Sequence, residues 1–80
     1  MKLLLEMKHR ELPHHITRWF LLDNGNIFAF IWQSPLPLIE VEMTPVEALR
    51  SYAIHVSRIG GYEVIDGELA WHRFVSEMEI

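Results

Sequence analysis

The segment from Trp19 to Trp32, WFLLDNGNIFAFIW, constrains the fold more than any other stretch of the chain. Its centre, Asp23-Asn24-Gly25-Asn26, is turn chemistry, and apolar residues fill consecutive positions on both sides of it. Asn-Gly is the strongest short hairpin signal, because both central residues of a type I′ turn need positive φ. Successive side chains of a strand point to opposite faces, so a ribbon with one wet face should alternate. This one does not, and both of its faces must be covered.

With Asn24-Gly25 central, Asp23 faces Asn26, Leu22 meets Ile27, Leu21 meets Phe28 and Trp19 meets Phe30. Directly paired residues share a face. One face then holds Ile16, Phe20, Leu22, Ile27, Ala29 and Ile31, interrupted by Arg18. The other holds Trp19, Leu21, Phe28, Phe30 and Trp32, with Thr17. A one-residue slip would exchange partners but leave neither face polar.

The flanking segments are one-sided. Lys2–Lys8 alternates, with Leu3, Leu5 and Met7 against Lys2, Leu4, Glu6 and Lys8. Pro13 breaks the stretch that follows, since it has no amide hydrogen for a ladder. Leu38–Met43 alternates again, with Ile39, Val41 and Met43 against Glu40 and Glu42. These patterns predict a sheet with the hairpin in its middle and charged edge strands, which discourage open-ended pairing.

Thr44-Pro45-Val46-Glu47 opens a helix as a capping box with proline at its first position. Gly60-Gly61 ends it. Val46, Ala48, Leu49, Tyr52, Ala53, Val56 and Ile59 form its apolar stripe, and Ile54 falls among polar residues. Tyr62–Ile65 reads as a strand and Asp66-Gly67 as a tight turn. Glu68–Phe74 then reads as a returning strand, although Trp71, Phe74, Val75 and Met78 also fit helical spacing. The expected fold is a single α+β domain over residues 1–80. Its antiparallel sheet has about four or five strands, and one helix, about 44–60, packs on one face.

One helix of about sixteen residues is roughly 24 Å long and 10 Å wide, enough for one sheet face. The sequence does not choose which. The aromatic set Trp19, Leu21, Phe28, Phe30 and Trp32, with Arg18 beside it, is the expected uncovered and partner-binding side. Contiguous exposed apolar patches of more than a few hundred Å² mark binding surfaces. A second copy, a different protein or a tail helix would cover it, and a two-fold homodimer is the commonest assembly.

Net charge is −4, against general nucleic-acid binding. Residues 1–20 carry four cations and two carboxylates, residues 21–80 three cations and nine carboxylates. Arg18-Trp19-Phe20, with Lys8 and Arg10, is the nearest approach to the basic–aromatic pattern of a nucleic-acid binder. The lack of cysteine excludes a disulfide scaffold and a thiolate metal site, and suits the cytoplasm. No apolar run approaches the roughly 18 residues of a membrane span. Glu6, Lys8, His9 and Arg10 cut short the apolar start that imitates a signal peptide.

Catalytic chemistry is scarcely signalled. His9, Glu11, His14 and His15 are the candidates for a metal or acid–base site, but they match no zinc-ligand spacing. Ser34, Ser51, Ser57 and Ser76 lack the surroundings of an activated nucleophile. Glu40 and Glu42 stand about 7 Å apart on one strand face, a spacing common on wet strands. No cofactor is expected. The leading expectation is a non-enzymatic protein-binding domain, an inhibitor or adaptor. Phage-encoded inhibitors of bacterial defence, including anti-CRISPR proteins, share its size and lack of chemistry. The alternatives are a histidine-based metal protein or enzyme, and a nucleic-acid-binding module.

Overall fold

A computed structural model describes residues 1–78. The order is β1 (Lys2–His9), β2 (His15–Leu21), β3 (Ile27–Gln33), β4 (Ile39–Met43), α1 (Pro45–Val56), β5 (Tyr62–Asp66) and α2 (Glu68–Met78). The strands form one antiparallel sheet in the order β4-β3-β2-β1-β5. The α+β class and the antiparallel sheet are as expected. No helix among the described residues is long and apolar enough to cross a membrane.

The β2–β3 hairpin lies one residue out of the expected register. Leu21 pairs with Ile27, Trp19 with Ala29, Arg18 with Phe30 and Ile16 with Trp32. Leu22 N donates to Asn26 O at 2.9 Å and Gly25 N to Leu22 O at 3.0 Å. Within this loop only Gly25 has positive φ, at 87°. The loop is therefore three residues long, a type I turn closed by glycine in the left-handed conformation, rather than a two-residue type I′ turn. Asn24 Oδ1 accepts from Asn26 N at 2.9 Å, and Glu42 Oε2 accepts from Asn26 Nδ2 at 2.8 Å. The polar tip is thereby tied to β4.

A second correction concerns the first strand. β1 lies inside the sheet, because β5 pairs along its outer side. The strict alternation expected for β1 is also broken. Leu4 and Leu5 form a bulge, since Leu3 pairs with Phe20 and Leu5 with Trp19. Both are buried, because a bulge turns two consecutive side chains toward one face.

The third correction is the return strand. Residues 68–78 form α2, so the helical spacing of Trp71, Phe74, Val75 and Met78 prevails over alternation. Residues 79 and 80 lie outside the described residues. Gly67, with φ 83°, makes the reversal as expected, and its carbonyl accepts the first helical bond, from Trp71 N at 2.9 Å.

Helix α1 opens as the sequence predicts. Glu47 N donates to Thr44 Oγ1 at 3.3 Å, and Thr44 N donates to Glu47 Oε1 at 2.9 Å. Those bonds from Thr44 hold the Glu47 carboxyl below its ordinary pKa. The helix stops at Val56, four residues before the expected end, with Ser57 as its cap. Ser57 Oγ donates to Ile54 O at 2.7 Å and accepts from Gly60 N at 3.1 Å. That bonding satisfies the last turn ahead of the glycine pair. Replacing Thr44 by alanine is expected to lower stability by about 1 kcal/mol in a urea titration. A change indistinguishable from zero would mean that water replaces the box.

Both helices pack on one face of the sheet. There Trp19 meets Trp71 at 5.5 Å between ring centroids, and Trp71 meets Tyr52 at 5.0 Å and Phe74 at 5.7 Å. Leu5, Met7, Trp19, Ile27, Ala29, Ala48 and Trp71 are the centre of the core. Thr17 is the only buried polar residue among those described, and its Oγ1 accepts from Trp19 Nε1 at 2.9 Å. Helix α1 leaves Ile39 and Val41 of β4 44% and 39% exposed. Val46 and Ala53, expected in the buried stripe, are exposed, as is Ile59 beyond the helix.

Candidate functional site

The face away from the helices is set by the pairing. In one row across it Glu40, Phe30, Arg18 and Glu6 stand side by side. In the next are Glu42, Phe28, Phe20 and Leu3, and in a third Trp32, Ile16 and Lys8. The apolar centre is a connected group of rings. Phe20 meets Phe30 edge-on at 5.6 Å, Phe28 meets Phe30 at 5.0 Å, and Phe30 stacks on Trp32 at 6.0 Å. Each ring is half-buried by its neighbours and by no helix.

Of the expected partner-binding residues, Phe28, Phe30, Trp32 and Arg18 share this open face. Trp19 and Leu21 do not. The three-residue loop moves them to the helix side, where Trp19 is 0% exposed, so neither contributes to an open surface. Phe20 and Ile16 take their places, joined by Leu3 and Glu6 of β1. The missed signal was Asp23-Asn24-Gly25 read as a three-residue loop with glycine last. The β3–β4 pairing, independent of that loop, sets Glu40 beside Phe30 and Glu42 beside Phe28.

Charge frames the rings. Arg18 Nε donates to Glu6 Oε2 at 2.8 Å, and its guanidinium lies 5.3 Å from the Trp32 ring centre. Cation–π contact and ion pair together hold an exposed arginine beside the apolar row. Glu40 and Glu42 are exposed along the opposite margin. At one end, Pro13, His14, Ile16, Arg18, Trp32 and Ser34 line an open groove of about 390 Å³.

Of the histidine candidates, His9 and His15 meet edge to face. His9 Nδ1 accepts from Glu11 N and Leu12 N, both at 3.1 Å, so this ring caps the β1–β2 loop. Its centroid lies 6.0 Å from that of His15, while His14 borders the groove. Among the described residues no three His, Cys, Asp or Glu side chains are placed to hold a metal ion. Glu40 and Glu42 pair beside Phe30 and Phe28 on the edge strand β4.

No protein family matches the chain, and no curated protein or solved structure matches it.

Proposed function

We propose that this chain is a non-enzymatic protein-binding domain that works through its open sheet face, and that a second copy of the chain occupies that face. The single observation behind this reading is the unbroken group Phe20, Phe28, Phe30 and Trp32 at the centre of a sheet whose two helices both lie on the other side. Burying large aromatic area is the main source of association energy at protein interfaces. A small dimer of this kind suits an adaptor or inhibitor, and the absence of cysteine suits a reducing compartment such as the cytoplasm.

The same rings could stack nucleic-acid bases. Glu40, Glu42 and, beside Lys8 on β5, Glu63 would however meet phosphate with like charge. That favours protein as the partner.

Phe30→Glu places a charge at the middle of the row. The variant is expected to keep its far-ultraviolet circular dichroism and to sediment as a monomer at concentrations where the unaltered chain is dimeric. A variant that still dimerises, or an unaltered chain that is monomeric at its highest soluble concentration, would end the self-association reading.

A further inference from the structure

We infer that the outer edge of β4 is a second binding surface, separate from the open face. It receives an extended segment of another protein in which Lys or Arg alternates with aliphatic residues. The two edges of the sheet are finished differently. On β5 the helix side is covered, with Tyr62 buried and Val64 half-buried. On β4 exposure on that side rises from 8% at Met43 to 39% at Val41 and 44% at Ile39. The path of the chain is the cause. Helix α1 starts at Pro45, two residues past the end of β4, and shields the Met43 end. Val46, on the first turn of α1, is exposed as well. No strand lies beyond β4 among the described residues. An edge strand with bare aliphatic side chains and free main-chain groups is where an added strand pairs.

Charge decides which strand fits. Glu40 and Glu42 are exposed on the other side of β4, and neither is in an ion pair among the described residues. Glu42 accepts from Asn26 Nδ2 at 2.8 Å. Glu40 stands beside Phe30, and the cation next along its row, Arg18, is already paired with Glu6. A second copy does not suit this edge. Pairing β4 with β4 about a two-fold axis sets glutamate opposite glutamate in every register that keeps the aliphatic residues together. Like charges directly opposite are destabilising. The far edge is no better, because β5 brings Glu63 and Asp66. A strand with Lys or Arg at alternate positions instead places cations beside Glu40 and Glu42, and aliphatic side chains beside Ile39 and Val41. Main-chain hydrogen bonds give an added strand its affinity, and its alternate side chains give specificity. The glutamates that reject a second copy at this edge thus select a cationic strand.

The probe is a blocked peptide of alternating lysine and valine, about seven residues long, an ordinary strand length. A peptide of alternating glutamate and valine is the control. Millimolar lysine peptide is expected to slow amide exchange in residues 39–43 of the isotope-labelled chain and to give nuclear Overhauser contacts with the β4 backbone. Glu40→Lys should weaken that binding by roughly fivefold, since an attractive cross-strand pair becomes a repulsive one. Glu77→Lys, the same charge change on α2, should leave it unaltered. The glutamate peptide should bind the Glu40→Lys chain better than the unaltered one. Equal losses in the two variants would mean attraction by net charge alone. Contacts at Phe20 and Ile16 in place of β4 would put the peptide on the open face. No response at millimolar peptide would leave Glu40 and Glu42 as guards of the edge. Each of these results overturns the inference, and none of them bears on the Phe30→Glu test of self-association.

Discussion

Trp19→Ala is expected to abolish the cooperative unfolding transition, whereas Trp32→Ala retains it. Trp19 is fully enclosed, touches the rings of Trp71 and His55, and bonds Thr17 through its indole nitrogen at 2.9 Å. Truncating a buried tryptophan costs about 3–5 kcal/mol through lost transfer and the cavity left behind. The loss also leaves the Thr17 hydroxyl buried without its donor, a further 1–3 kcal/mol or so. A chain of this length has on the order of 4–12 kcal/mol in total. Trp32 lies half-buried on the other face, so its truncation should leave a sigmoidal urea curve and weaken self-association instead. Circular dichroism against urea for the two variants decides the matter. A stable, dimer-deficient Trp19→Ala chain would mean that the hairpin faces are exchanged relative to the structure.

Gly67→Ala is expected to cost about 2–4 kcal/mol, well beyond the same change at Gly25. Both glycines have positive φ, 83° and 87°. For an L-residue that conformation alone costs roughly 1–2 kcal/mol. Their surroundings differ. A Cβ on Gly25 meets nothing within 4 Å, while one on Gly67 runs into the Leu4 carbonyl and comes within 2.9 Å of Leu5 Cα. Those atoms belong to the β1 bulge, so relief requires shifting either the sheet or the start of α2, and with it Trp71. The difference between the two urea midpoints isolates the close approach. Equal losses at both sites would show that β1 yields at no cost.

The elements that local chemistry specifies could be read directly from the chain. Thr44 to Glu47 forms its capping box from four consecutive residues, and α1 begins where that box says. Glu40 and Glu42 mark the wet side of β4 by alternation alone. Asp66-Gly67 marks a reversal. Readings that required choosing between two local solutions of similar quality fared worse. Asp23-Asn24-Gly25-Asn26 satisfies a two-residue or a three-residue hairpin loop, and one residue of difference sends Trp19 to the opposite face. Glu68–Met78 satisfies both alternation and helical spacing, and only contact of Trp71 with Trp19 and Tyr52 separates them. The candidate site inherits this division. Phe28, Phe30 and Trp32 were identifiable by their density on β3, whereas Phe20 and Ile16 waited on the register.

By itself the sequence determined that this chain carries a central ribbon apolar on both sides, too much for one helix to cover, because side-chain alternation and helix dimensions are local and fixed. Which residues lie on which side, and that a second helix joins the first instead of shielding the other face, was decided only in the tertiary structure. Register and helix placement depend on pairings such as Trp19 with Ala29 and Trp71 with Trp19, between residues far apart in the chain, whose energies no single segment contains.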